Sequence, residues 1–255
     1  MSYKFKNALV RKPSKNIIRA ISSRNKKPIF QKICDEHDHY IKSLISSEVH
    51  VNILDELENF PDSIFIEDPA LAYKENIILL RPGIQSRFGE SEALANDTKK
   101  YFKEILYIEN GKIEGGDVLR INNHFIIGLS KRTNKAGAEN LSYILKSLGA
   151  SVSISSTPED ILHFKSNCSL VDENTIFLTK KIAKLNIFNK KYKLTEVPEG
   201  EEIAANTLRI NDYLLIPKGF KKTEELLSKK YNLILLDVNE ISKVDAGLSC
   251  MSIRW

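Results

Sequence analysis

The stretch Val118 to Gly128, VLRINNHFIIG, reads as an apolar strand, a short polar turn and a second apolar strand. Three more segments have the same form: Ala70 to Leu80 (ALAYKENIILL), Ser169 to Thr179 (SLVDENTIFLT) and Thr207 to Pro217 (TLRINDYLLIP). Each turn is built from Asn, Asp or Glu, the chemistry of a tight hairpin. The string L-R-I-N occurs twice, at Leu119 to Asn122 and at Leu208 to Asn211. A fifth unit closes from the two chain ends, with Gly247 to Trp255 (GLSCMSIRW) beside Asn7 to Arg11 (NALVR).

Between the hairpins lie segments of helical periodicity: Gln31 to Ile45, Glu90 to Phe102, Asn134 to Leu148 and Thr223 to Tyr231. Gly149 supplies a stop for the third. Short strands follow three of them, at Val49 to Ile53, Val152 to Ile154 and Leu233 to Leu236. The repeating unit is therefore two strands, a helix and a strand. Such a unit cannot bury its own apolar face, so repeats of it predict a radial array around a centre. The expectation is one α/β propeller-like domain over residues 1–255, built from five ββαβ units.

With 42% hydrophobic and 28% charged residues among 255, the chain has the composition of a globular protein. No run approaches the ~18 apolar residues of a membrane span. Lysines stand where a signal peptide would be apolar, so a cytoplasmic protein is expected. Cys34, Cys168 and Cys250 are odd in number and widely spaced, which encodes neither a disulfide framework nor a paired-cysteine zinc site. The net charge of +5 is scattered, and its densest stretch, Lys180 to Lys193, reads as a solvated face. Asp35 to His39 (DEHDH) likewise reads as a solvated helix face without a distant set of metal ligands. Neither a P-loop nor a G-x-G-x-x-G follows a strand, so no nucleotide cofactor is implied.

Polar residues gather just before or inside the first strand of each hairpin. Asp62, Glu67 and Asp68 precede one, Glu114 and Asp117 the next, and His163 and Lys165 the third; Asp245 and Cys250 bracket the last. In a closed array these positions converge at one end of the axis, where acids, a histidine and a cysteine would meet. The motifs that carry them, I-E-G-G-D-V-L with G-L-S-K-R-T-N, L-H-F-K-S-N-C-S and D-A-G-L-S-C-M-S, resemble the dimethylarginine dimethylaminohydrolase family of the guanidine-modifying amidinotransferases. F-I-E-D-P-A-L-A and R-P-G-I-Q-S-R extend the likeness from Pro61 to the end of the chain. The resemblance implies a five-bladed α/β propeller, in agreement with the repeat.

It also implies roles. Cys250 would be the nucleophile, a thiol that needs activation by its surroundings or by a bound cation. His163 would be general acid and then base, and Glu114 would orient its imidazole. Asp68 and Glu67 would hold the substrate guanidinium, since a carboxylate accepts two parallel hydrogen bonds from that planar cation. Asp62 would take the α-ammonium, Arg87 and Arg132 the α-carboxylate, and Asp245 a further polar contact. Cys34 and Cys168 read as structural. A lid over the site would fall within residues 12–60, near Ile21 to Pro28.

The implied reaction is metal-independent and cofactor-free hydrolysis of N-methylated arginines, a small-molecule function without nucleic acid or membrane that leaves room for a homodimer. An arginine deiminase and an amidino transferase would use the same covalent chemistry. A ribosome-binding propeller is the non-catalytic alternative, against which the Cys250, His163 and Glu114 set argues.

Overall fold

The computed structural model describes residues 1–23 and 26–255. Its first unit combines β1 (Asn7–Arg11), helix α1 (Phe30–Ser46) and β2 (His50–Leu54). The second runs β3 (Ala70–Tyr73), β4 (Asn76–Leu79), α2 (Glu90–Thr98) and β5 (Glu104–Tyr107). The third is β6 (Val118–Ile121), β7 (His124–Leu129), α3 (Lys135–Ser147) and β8 (Ser151–Ser156). The fourth is β9 (Cys168–Leu170), β10 (Thr175–Leu178), α4 (Lys180–Ala183) and β11 (Lys193–Glu196). The fifth is β12 (Leu208–Ile210), β13 (Tyr213–Pro217), α5 (Lys221–Ser228) and β14 (Asn232–Leu236), after which β15 (Ile253–Arg254) returns to complete the first.

Every unit is a three-stranded sheet whose first strand pairs antiparallel with the middle one, while the third pairs parallel to it. The antiparallel pairing needs only a turn, and Lys74, Asn122 and Asn211 make those turns with positive φ of 55°, 56° and 51°. The parallel pairing needs a crossover, which the helix supplies. The two L-R-I-N strings give the same local device. In each, the arginine Nε donates to the carbonyl of the asparagine two residues on, Arg120 to Asn122 at 2.9 Å and Arg209 to Asn211 at 3.0 Å.

Alternation along the middle strands closes the ring. In β4, Ile77 and Leu79 join a core shared with Leu9 of β1, whereas Ile78 joins one shared with Ile127 of β7. Ile126 of β7 packs with Ile176 and Leu178 of β10, and Phe177 of β10 packs with Leu214 and Ile216 of β13. Leu215 of β13 then meets Ala8 and Val10 of β1. Each middle strand is thus buried on both faces, which is why it reads as an unbroken apolar run. The ββαβ propeller expected from the repeats is the architecture observed.

Local differences have local reasons. α2 ends at Thr98, whose hydroxyl bonds back to the Leu94 carbonyl, and β5 follows as a strand without an apolar signature because only part of it is covered. In the fourth unit the helix shrinks to four residues, and the lysines of 180–193 are exposed, as expected. The DEHDH segment is a solvated face only in part. Asp35, Asp38 and His39 are exposed, but Glu36 and His37 are buried, and Glu36 accepts from the backbone N–H groups of Glu240 and Ile241 at 2.8 and 2.9 Å.

Gly137 sits in the first turn of α3 where the loop leading to Glu114 presses against it. A Cβ there would lie 2.3 Å from the Lys112 carbonyl oxygen. Alanine is the better helix former by about 1 kcal/mol, yet overpacking against backbone costs about 1–3 kcal/mol, so the clash dominates. Gly137→Ala should lower the urea midpoint of unfolding; a raised midpoint would show that the loop yields.

Candidate active site

The chain segments that precede the first strands carry the site. Asp68 lies before β3, Glu114 begins the 3-10 turn before β6, His163 the turn before β9, and Cys250 lies in the turn Leu248–Met251 before β15. One small cavity, about 20 Å³, is lined by Cys250, His163, Asp68, Asp62, Arg87, Arg132 and Asp245, so seven of the nine residues singled out by sequence face it. Ile21 lines it as well.

Glu114 stands behind His163 and is wholly buried. Its Oε2 lies 2.7 Å from His163 Nε2; its Oε1 accepts from the Gly83 N–H at 2.8 Å and from Arg132 Nη1 at 3.4 Å. With Nε2 held, Nδ1 is the ring nitrogen left for proton exchange. Burial alone would lower the imidazole pKa, but the carboxylates of Asp68, Glu114 and Asp117 outweigh it and raise it to about 9. Burial would raise Glu114, yet its hydrogen bond to His163 and the charges of His163, Arg87 and Arg132 bring it down to about 2. The pair is an imidazolium carboxylate at neutral pH. The Cys250 thiol is pushed up to about 12, first by burial and then by the Asp68 and Glu67 carboxylates.

Asp68 is fixed from two sides. Arg87 Nη1 donates to Oδ2 at 2.6 Å and the Gly116 N–H to Oδ1 at 3.0 Å. Gly116 leaves room for both partners of the site: a Cβ would stand 2.8 Å from His163 Cγ and 2.9 Å from Asp68 Oδ1. Arg87 is itself clamped by Glu90, which accepts from Nε and from Nη2 at 2.7 Å. Asp62 accepts from the Ile21 N–H at 3.2 Å, and Asp245 accepts from Ser23 Oγ at 2.8 Å and from the Ser23 N–H. Ile21 to Ser23 therefore lie across the cavity, within the range expected for a lid; Arg24 and Asn25 of that range lie outside the described residues.

Glu67 departs from expectation. It does not line the cavity, and its Oε1 is held by Arg254 at 2.6 Å and Lys165 at 2.7 Å. Glu67 and Asp68 lie in a turn, where the Asp68 N–H donates to the Phe65 carbonyl at 3.2 Å, and their carboxylates are held by different partners, Asp68 by Arg87 and Gly116 and Glu67 by Arg254 and Lys165. Two contributors, Glu90 and Asn206, escaped the sequence reading, and a third, Asp117, was placed at this end of the axis without a role. Glu90, the first residue of α2, holds Arg87, a role that the helical pattern of its segment does not show. Asp117 accepts from Ser130 and Thr133 hydroxyls and from the Phe164 N–H at 2.8 Å, tying the Glu114 and His163 segments together. Asn206, before β12, is the fifth unit's counterpart, and its Oδ1 accepts the Ser249 N–H at 3.1 Å beside Cys250. Its place in the repeat was the available signal.

Asp68, Glu114 and His163 each bring a ligand atom within 4.8 Å of the others, the one such grouping among the described residues. Those atoms already serve the arginine, glycine and imidazolium contacts just given, and an imidazolium has no lone pair for a metal. Glu114→Gln should drop the His163 pKa from about 9 toward or below neutrality, read from imidazole ¹⁵N shifts across a pH titration. A value unmoved by the substitution would show that Asp68 and Asp117 alone sustain the charge.

Comparison with known proteins places this arrangement. The family model described as arginine deiminase matches residues 56–219. A dimethylarginine dimethylaminohydrolase of Pseudomonas aeruginosa is 33% identical over 255 residues, covering 98% of this chain and 100% of the relative. The structure of that organism's enzyme as a Cys-to-Ser variant with citrulline superposes with a TM-score of 0.96 at 32% identity, over 99% of this chain and 100% of the other. A His-to-Gly variant of a dimethylarginine dimethylaminohydrolase, solved as an adduct with S-methyl-L-thiocitrulline, gives 0.95 at 32% identity over 98% and 100%. The chain belongs to the dimethylarginine dimethylaminohydrolase family, within the amidinotransferase superfamily.

Proposed function

We propose that this chain, acting as one catalytic domain, hydrolyses N-methylated arginines to citrulline and dimethylamine or methylamine. The observation that carries this reading is a single cavity where a thiol, an imidazolium and a fixed carboxylate meet, with Cys250, His163 and Asp68 all on its wall. Asp68 accepts the guanidinium N–H groups, and Arg132 and Arg87 face the α-carboxylate. Asp62 takes the α-ammonium. A cavity of about 20 Å³ is too small for an amino acid, so Ile21 to Ser23 must swing aside on binding and release Asp62 and Asp245.

Cys250 is a thiol in the empty site because burial and two carboxylates oppose its charge. A guanidinium seated on Asp68 neutralises one of those carboxylates and lies over the sulfur, which favours the thiolate. The thiolate attacks the guanidinium carbon. His163 gives its proton to the departing alkylamine, and the C–N bond breaks to leave an S-alkylthiouronium on Cys250. His163, now neutral, takes a proton from water as the water oxygen bonds to the same carbon. Breaking of the C–S bond then returns the thiolate and releases citrulline.

The match to a family model described as arginine deiminase favours a second reading, in which ammonia is expelled from arginine. Mass-spectrometric product analysis with arginine, monomethylarginine, asymmetric dimethylarginine and agmatine separates the two. The methylated substrates should give citrulline at a kcat/KM at least about tenfold above that for arginine, with agmatine poor for want of the carboxylate. Preference for arginine would select the deiminase, and inertness toward all four would remove the enzymatic reading. In His163→Gly no acid protonates the alkylamine and water is not activated, so an activated substrate whose leaving group needs no proton should leave an adduct on Cys250 with the mass of that substrate less its leaving group. Intact-protein spectra should show none in Cys250→Ser. An adduct mapping to Cys34 or Cys168 would contradict the assignment.

A further inference from the structure

Asp117 is wholly buried and does not line the catalytic cavity, so it stands behind the reacting groups and not among them. A buried carboxylate is costly unless donors surround it. Three do: Ser130 Oγ and Thr133 Oγ1 each donate to Oδ2 at 2.7 Å, and the Phe164 N–H donates to Oδ1 at 2.8 Å. Each donor is fastened in turn to a residue of the site. Ser130 Oγ accepts the Arg132 N–H at 3.0 Å and the Thr133 N–H at 3.2 Å, Thr133 Oγ1 accepts the Glu114 N–H at 3.2 Å, and Phe164 follows His163 in the chain. Three arms thus run from one carboxylate to Arg132, Glu114 and His163.

The arms require a carboxylate at their centre. Both lone pairs of the Ser130 hydroxyl are taken by backbone N–H groups, so its proton is all it can offer Asp117. The Phe164 amide is likewise a donor only. Asp117 must therefore present one acceptor on Oδ2 and another on Oδ1, which an amide of the same shape cannot do. An asparagine NH2 group would face either the Phe164 N–H or the Ser130 hydroxyl proton, so one arm is lost whichever way it lies. The charge bears on His163 as well, since Asp117 is one of the three carboxylates, with Asp68 and Glu114, that favour the imidazolium.

We propose that Asp117 is a positioning residue for the reaction, a single buried carboxylate that sets substrate binding and proton transfer through separate hydroxyls. This role rests on the methylarginine reading above. Through Ser130, Asp117 fixes the backbone of Arg132, whose guanidinium faces the substrate carboxylate. Through Thr133 it fixes the backbone of Glu114, whose own carboxylate holds His163 at 2.7 Å, and through Phe164 it fixes the His163 segment directly. The contact with the substrate carboxylate is the same in ground and transition states, so the Ser130 arm acts on KM. The proton moves only in the transition state, so the Thr133 and Phe164 arms act on kcat. Displacement of such groups by about 1 Å is enough to cost roughly 100-fold in rate.

Steady-state kinetics of the full chain with monomethylarginine, joined to the urea midpoint and an imidazole ¹⁵N titration of each variant, tests this. Ser130→Ala should raise KM by roughly three- to tenfold with kcat within about twofold of the unaltered chain. Thr133→Val, of the same shape, should lower kcat by about tenfold at nearly constant KM, and Thr133→Ser, which keeps the hydroxyl, should restore it. Asp117→Asn should do both. In Asp117→Asn and in Thr133→Val, His163 should lose its proton at lower pH than in the unaltered chain. A purely structural Asp117 would lower the urea midpoints but leave KM fixed in Ser130→Ala and Thr133→Ser as impaired as Thr133→Val; either result overturns the proposal. So does an Asp117→Asn that folds and keeps the unaltered kcat and KM; if it does not fold, the hydroxyl variants decide. An unaltered chain inert toward methylarginines would remove the functional reading alone. The titration then decides the positioning role, which a His163 pKa unmoved by Thr133→Val overturns.

Discussion

Glu114 is the constraint on which the centre of the molecule is arranged. Wholly buried, it meets His163 of the fourth unit, the Gly83 N–H of the second and Arg132 of its own. A carboxylate so placed is tolerable only if charge and hydrogen bonds surround it, and losing one partner would expose the full desolvation cost of the other. The pair also links folding to pH. His163, raised from 6.5 to about 9, contributes stability that is complete below about pH 6.5 and fades as pH rises through 9. Glu114, lowered from 4.5 to about 2, contributes stability present above about pH 4.5 and lost as pH falls through 2. The pair therefore stabilises the fold most between those bounds.

The architecture was legible because every middle strand is buried on both faces. NIILL, FIIG, TIFL and YLLIP carry no polar alternation, a pattern only a strand packed from both sides leaves, and the turns between strand pairs used the residue types that turns require. The third strands were less legible. Ile53, Tyr107, Ile154, Leu194 and Leu235 are exposed or nearly so, and β5 and β11 carry too little apolar periodicity to be distinguished from loop.

At the site, position in the repeat located Cys250, His163, Glu114 and Asp68. Direction within the repeat was harder to read. Glu67 is held away from the catalytic cavity by Arg254 and Lys165, partners that its place beside Asp68 does not reveal. Glu90 and Asn206 were silent because each acts on another residue of the site, Arg87 in one case and the Ser249 backbone in the other. Residues that serve through a partner have no motif of their own; only packing identifies them.

The two ends of the axis show contrasting electrostatics. Around Cys250 the acids Asp62, Asp68, Glu90, Glu114 and Asp117 face Arg87, Arg132 and His163, so the catalytic end is short of positive charge until a guanidinium arrives. Beyond Glu67 the balance reverses, with four cationic side chains and one acid. Glu67 and the Lys165 and Arg254 that grip it lie at the junction, and the Glu67 N–H donates to the Cys250 carbonyl at 3.1 Å. A single hydrogen-bonded layer thus separates an acid-rich cavity from one whose charged lining is mainly basic.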